Sequence, residues 1–253
     1  MFDFLKGPLL NLQNFVLLSG RALANIFRSP HYVDDILIQM DLIGVGSIPL
    51  VLLAGFFTGA VLALQTSRTL RQYGLSNQVG QAVSITLVRE LGPVLTSILV
   101  AGRNASAMAS ELGSMKVTEQ IDAMRALGTD PVQKLVTPRL IATAVMLPLM
   151  VVIADFMGIV GGWIVASLLL HMTPGSQFWA SAQQALDMSD VAQGLIKPFV
   201  FAVVLSLVGC HYGLSTTGGT QGVGRATISA VVVSCMWIII LTYFIGSFFI
   251  HFK

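Results

Sequence analysis

The chain is 253 residues long, 55% hydrophobic and 10% charged, with a formal net charge of +2. Soluble domains carry about 25% charged residues, and several runs of roughly 20 residues here hold almost no charge, so composition excludes an ordinary soluble domain and indicates an all-α, polytopic membrane protein. No long basic run marks a nucleic-acid partner, and neither a G-x-x-x-x-G-K-[S/T] phosphate loop nor a G-x-S-x-G elbow occurs, so nothing supports ATP hydrolysis by the usual loop or covalent enzyme chemistry. His31, His171, His211 and His251 lie far apart without metal-ligand spacing, and Cys210 and Cys235 fall inside apolar runs as buried thiols. No metal or cofactor is expected on the chain itself.

In chain order, residues 2–28 place Phe2, Leu5, Leu9, Leu12, Val16, Leu23 and Phe27 at three-four spacing, with Lys6, Arg21 and Arg28 on a polar side. Asn11, Gln13 and Asn14 interrupt the apolar run a secretory signal needs. The pattern suits a helix lying in the membrane interface; packing on the protein's own core is the alternative. The first span is predicted over 43–64, where Gly55 and Gly59 form a small-xxx-small pair that Gly158 and Gly162 repeat later. Such pairs serve either packing within the chain or a dimer seam. A polar stretch over 65–82, with Arg68, Arg71 and Tyr73, leads to a second span over 83–106.

That second span contains Arg89-Glu90-Leu91-Gly92-Pro93. Charges inside a span are costly and face a cavity or a partner, although an Arg and a Glu near its end can also snorkel to head groups. Neighbouring helical positions point about 100° apart, so Arg89 and Glu90 are not expected to pair with each other. Pro93 removes a backbone donor beside them.

Nine of the 26 charged residues fall in the next stretch, Arg103 to Arg139. Within it, Val117, Ile121, Met124 and Leu127 recur at helical spacing, Glu119 and Asp122 occupy the first turns, and Arg125 falls in the last. Gly128 is placed to end this helix and Asp130-Pro131 to open the next, so a short amphipathic helix is predicted over 117–128. A third span follows over 134–171, interrupted by Asp155. As one helix it is about 55 Å long against a hydrocarbon core of about 30 Å; the alternative is a hairpin turning near Asp155. Residues 103–139 hold five Lys or Arg and residues 172–193 none, so the positive-inside rule puts the former in the cytoplasm, the latter outside, and one crossing between them. The remaining spans are predicted over 194–212, led in by Lys197-Pro198, and 227–250, joined by a glycine-rich turn from Gly213 to Arg225. Tyr73-Gly74-Leu75-Ser76 recurs as Tyr212-Gly213-Leu214-Ser215, too short a match to establish a repeat.

The stretches Arg89-Glu90-Leu91-Gly92-Pro93, Ala101-Gly102-Arg103, Glu111-Leu112-Gly113-Ser114-Met115 and Glu119-Gln120-Ile121-Asp122-Ala123 resemble the MlaE (YrbE) family of ABC-transporter permeases. So do Leu127-Gly128, Asp130-Pro131 and Pro138-Arg139, and the similarity spans essentially the whole chain as one permease domain, 1–253. The resemblance implies a homodimer in the bacterial inner membrane, with an interfacial N-terminal helix and about five spans per copy. It implies a cytoplasmic ABC ATPase dimer that binds ATP and engages a coupling helix carrying Val117, Glu119, Ile121, Asp122, Met124, Arg125 and Leu127. On the outer side it implies an MCE-domain protein, in many members a small STAS-domain subunit, and phospholipid as cargo in maintaining outer-membrane lipid asymmetry. By position Leu62, Leu70, Tyr73 and Glu90 resemble the family's lipid-pocket residues, with Arg89 beside them. The competing classes are an ion-gradient-driven secondary transporter, for which only Glu90 and Asp155 are intramembrane carboxylates, a permease for another hydrophobic substrate, and a membrane scaffold.

Overall fold

The computed structural model describes residues 2–30 and 32–251, with side chains from Leu9 onward except at Ile250. His31 and the side chains of Phe2, Leu5 and Lys6 therefore lie outside the described set. Among the described residues all regular structure is helical. In order the helices are α1 Phe2–Asn25, α2 Val33–Ile43, α3 Ile48–Gln72, α4 Ser76–Val117, α5 Gln120–Ala126, α6 Val132–Leu169, α7 Gly175–Ala185, α8 Met188–Leu214 and α9 Gly219–His251. Five stretches are long and apolar enough to cross a membrane: α2 with α3, joined through the tight turn Val45–Ser47, then α4, α6, α8 and α9. The fold is all-α and polytopic.

The chain divides into two compact units. One holds the chain up to Val45 with Val100–Val145 and Phe201–Trp237; the other holds Gly46–Leu99, Met146–Val200 and the chain from Ile238 onward. In the first unit α1 presents two faces. Ala22 is fully buried and Asn25 nearly so, and Phe15 sets its ring edge-on to His211 at 5.4 Å. The other face, with Leu9, Leu12, Val16 and Leu23, is 43–60% exposed. An apolar face left uncovered on a helix is what a membrane interface would bury. Asn25 Nδ2 donates to Asp130 Oδ2 at 3.4 Å, holding the end of α1 to the start of α6.

In the second unit α3 and α6 meet through glycines. A Cβ added at Gly55 would strike the backbone of Ala154, and one at Gly59 would fall inside the carbonyl of Gly158. The small-xxx-small pairs thus pack against one another within the chain, where backbone approach replaces the hydrophobic effect as the source of helix association. Ala63, Val79, Val83, Leu87, Ala166 and Phe178 form a buried cluster beside this seam, with Leu62, Leu70 and Leu91 against it. Through Phe178 and Ala182, α7 is fastened to the start of α4, where Ser84 Oγ donates to the Ala182 carbonyl at 3.3 Å.

Two local features differ from expectation. The glycine-rich turn predicted over Gly213–Arg225 is confined to 215–218, because α8 runs to Leu214 and α9 begins at Gly219. Its glycines serve close packing as well as turning: a Cβ at Gly213 would sit 2.7 Å from Leu112 Cβ, while Gly218 and Gly219, at φ +87° and +65°, make the turn. Residues 132–169 form one continuous helix of 38 residues that passes through Asp155 without a break. At 1.5 Å per residue it is about 57 Å long.

Candidate functional site

Arg89 and Glu90 sit on a π-helical turn of α4, Leu87–Leu91, and each has its own partner on α8. Arg89 Nε and Nη2 both approach Asp190 Oδ1 at 2.7 Å, and Glu90 Oε1 meets Lys197 Nζ at 2.6 Å. Gln193 Nε2 lies 3.4 Å from the same Glu90 oxygen. Asp190, Gln193 and Lys197 stand three and four residues apart, so they share one face of α8, and all three are buried. The close approach needs Gly194, where a Cβ would lie 2.8 Å from the Val88 carbonyl oxygen.

The π-turn and the proline explain Lys197's second contact. Pro93 has no N–H to offer the carbonyl of Arg89 four residues earlier. That carbonyl accepts instead from Lys197 Nζ at 2.8 Å. Lys197 is fully buried, so an uncompensated ammonium there would be strongly unfavourable; Glu90 supplies the charge and Arg89 the second acceptor. The cluster contains two cations and two carboxylates and is electrically balanced. Arg89, with two of its N–H groups spent on Asp190, braces α8 instead of standing open to an incoming phosphate.

The other residues predicted for a lipid pocket are only partly gathered. Leu62 lines a cavity of about 360 Å³ with Phe57, Val61 and Leu91, next in sequence to Glu90. Leu70 packs on the buried cluster around Phe178, outside that lining. Tyr73 caps the C-terminus of α3, 73% exposed and also outside the cavity. Asp155 is buried with Oδ1 unpartnered, against Gly92, whose lack of a side chain leaves room for the carboxyl. Among the described residues no three of His, Cys, Asp and Glu gather to hold a metal.

The first unit carries the amphipathic element. The helix predicted over 117–128 is divided: α4 ends at Val117, Glu119 turns the chain in the left-handed region at φ 61°, and α5 runs from Gln120 to Ala126. Val117 thus belongs to the preceding helix and does not share a continuous ridge with Ile121. Ile121 is fully buried within the chain and anchors α5, Met124 is half-buried, and Leu127 stands 83% exposed. Asp122 bridges Lys116 at 2.9 Å and Arg125 at 2.8 Å, tying α5 back to the end of α4. The hydrogen bond from Lys116, with the charges of Lys116 and Arg125, holds the Asp122 carboxyl below its ordinary pKa. Gly128 at φ 79° closes α5, with its N–H on the Arg125 carbonyl and that of Thr129 on the Met124 carbonyl, both at 3.0 Å. Asp130 Oδ1 then caps α6 by accepting from Val132 N–H at 3.0 Å. Behind the element, nearly buried Arg139 pairs with Glu111 at 2.8 Å, and Lys134 pairs with Asp35.

Compared with known proteins, residues 36–248 match the family model of the permease MlaE. The chain belongs to the MlaE permease family. Its relatives include a probable ABC transporter permease protein of Rickettsia typhi, 41% identical over 91% of this chain and 89% of that one. Another, from Synechocystis, is 40% identical over 90% of this chain and 87% of its own. The chloroplastic protein TRIGALACTOSYLDIACYLGLYCEROL 1 of Arabidopsis thaliana is 35% identical over 92% of this chain and 66% of its own.

For this MlaE-family chain, sequence reading missed Asp190 and Lys197 as partners of the charged pair in α4. Asp190 falls in the stretch 172–193, read from the sequence as an outer loop, and Lys197 entered only as the lead-in to a span. The signal was present in the 190-193-197 spacing, which sets three polar groups on one face of an otherwise apolar helix.

Proposed function

We propose that this chain is the membrane permease of an ABC transporter that moves phospholipid between the bacterial inner membrane and an extracytoplasmic MCE-domain partner. On this reading it works as a homodimer, a separate cytoplasmic ATPase dimer binds and hydrolyses ATP, and the assembly, with a STAS-domain subunit as an optional further member, maintains outer-membrane lipid asymmetry. Its place in the MlaE family and the relatives named as ABC transporter permeases support the coarse reading. The observation that carries the mechanical part is α5. It is braced by Asp122 and buried Ile121 on one side and offers Leu127 outward, so a push on it is transmitted to α4 and α6 instead of being absorbed. For cargo, Phe57, Val61, Leu62 and Leu91 supply apolar walls at the lower end of the usual pocket volume, suited to part of an acyl chain. Leu70, Tyr73, Arg89 and Glu90 would border the rest of the lipid's path. A secondary transporter would need intramembrane carboxylates free for ions; Glu90 is already paired with Lys197, which leaves Asp155 as the single candidate of the two.

The test is reconstitution with the candidate ATPase. Leu127→Asp alters only exposed surface and should release the ATPase and abolish lipid-stimulated hydrolysis while the permease stays folded. Met124→Asp should weaken both partially. Intact coupling in both variants would show that α5 is not the joint.

A further inference from the structure

The first unit contains a cavity of about 320 Å³ between α1, the end of α8 and the start of α9. Its polar lining includes Asn11 of α1, His211 and Ser215 at the end of α8, Thr217 in the turn, and Arg225 and Ser229 one turn apart on α9. None of the lining residues is acidic. Lys134 and Arg139, elsewhere in the same unit, are matched by Asp35 and Glu111, whereas Arg225 has no carboxylate partner among the described residues. The hydroxyls of Ser215, Thr217 and Ser229 enter no hydrogen bond with described residues, in contrast to Thr216 Oγ1, which donates to the Tyr212 carbonyl at 3.1 Å. His211 is about nine-tenths buried. Its ring is fixed edge-on by Phe15 at 5.4 Å and Tyr212 at 5.7 Å, without a side-chain hydrogen bond to described residues.

We infer that this cavity is a phosphate-binding site. A guanidinium fork, three hydroxyls, an amide and an imidazole line it with no acidic residue among them; His211 is buried, while Asn11, Ser215, Thr217 and Arg225 are exposed at its mouth and open to an incoming anion. A tetrahedral anion with several acceptor oxygens satisfies such a set, and Arg is the side chain best shaped to meet it. The phosphate can come from a phospholipid head group or from free phosphate. The head group is the better fit, because α1 gives Asn11 to the cavity and leaves Leu9, Leu12 and Val16 exposed on its other face, where a membrane interface would hold the helix beside lipid. The site also touches the coupling region: Thr216 packs on Gly113, where a Cβ would be 2.9 Å from its Oγ1, one turn before the end of α4. The inference stands independently of the transport reading, since it concerns binding alone.

The test uses the full chain in nanodiscs with a photo-crosslinker at exposed Asn14, one turn beyond Asn11. In phosphatidylglycerol discs the wild type should give a lipid adduct. Arg225→Gln should lower its yield about tenfold and Arg225→Lys less, since Lys keeps the charge and loses the fork. Discs of a glycolipid without phosphate should label weakly and regardless of residue 225. If millimolar inorganic phosphate, and not sulfate, suppresses the adduct or raises the unfolding temperature of the wild type but not of Arg225→Gln, the site takes free phosphate and the chemistry stands. If Arg225→Gln unfolds, Thr217→Val with Ser229→Ala replaces it. Adduct yields equal to wild type in the folded variants for both lipids, with no phosphate-dependent stabilisation, would overturn the proposal. A crosslinker at Leu62 reports on the proposed transport pocket separately.

Discussion

Lys197 owes its burial to two acceptors, the Glu90 carboxylate and the Arg89 carbonyl that Pro93 leaves free. The two sides of the pair are unequal, since Lys197 is fully buried and the Glu90 side chain is 45% exposed. Glu90→Gln would strand a buried cation and should destabilise by about 2–3 kcal/mol, below the 3–5 kcal/mol typical of a wholly buried pair. Lys197→Met removes the buried cation and the bond to the Arg89 carbonyl and leaves the partly exposed Glu90 without its counter-ion, a cost of about 1–2 kcal/mol. The double variant should recover about 1–2 kcal/mol relative to the sum, read from thermal unfolding by tryptophan fluorescence; additivity within about 0.5 kcal/mol would mean the two groups are not coupled. Asp122 behaves differently because it lies on the surface and its pKa is depressed. A carboxylate of lowered folded-state pKa contributes above its unfolded value, near 3.8, and loses that contribution only as pH falls through the lowered one. Asp122→Asn should therefore weaken coupling by the same factor at about pH 6 and pH 8, and a difference that changes between those two values would assign the effect to another group.

Helix contacts in the second unit rest on absent side chains as much as on present ones. Gly59 on α3 lies against the backbone of Gly158 on α6, so Gly59→Val would drive the two helices apart. Overpacking of this kind typically costs about 1–3 kcal/mol, and loss of midspan contacts should lower the unfolding temperature and the yield of folded protein. Gly20, with nothing within 4 Å of an added Cβ, is the control, and Gly20→Ala should be close to neutral. If Gly59→Val matched it, the glycine seam would not hold these helices. Apolar runs made the helical class and the five long helices legible in the sequence, because length and lack of charge are properties of each run alone. Boundaries were less legible. Gly213 and Gly222 read as turn residues, yet both lie in helices where a small residue admits a neighbour, which only the partner's position reveals. The site shows the same division. Ile121 and Leu127 have the same apolar character, and only the fold decides that Ile121 anchors α5 while Leu127 faces outward. Likewise the need of Arg89 and Glu90 for partners was readable, but Asp190 and Lys197 lie about 100 residues away.

Over the whole chain, the distribution of charge around α6 predicts an orientation in the membrane. Residues 103–139 carry five Lys or Arg and 172–193 none. The two regions flank one continuous helix of 38 residues, about twice the minimum length of a span. We expect such a helix to cross once and project beyond the hydrocarbon, its ends on opposite sides, and the positive-inside rule then predicts the basic end in the cytoplasm. Arg68 and Arg71 then fall on the outer side, near the turn at Gly74 that ends α3. Both are exposed there and can reach head groups along their aliphatic stems, so they oppose the bias less than two buried charges would. In a background of Cys210→Ala and Cys235→Ala, single cysteines at Gln183 and Ser114, both exposed, separate the possibilities. An impermeant thiol reagent applied to intact cells should label position 183 and leave 114 untouched until the membrane is permeabilised. The reverse pattern would invert the orientation and place α5 where no cytoplasmic ATPase can reach it. Labelling of both positions in intact cells would be incompatible with a single crossing between them, and α6 would have to be redrawn as a hairpin despite its unbroken helix through Asp155.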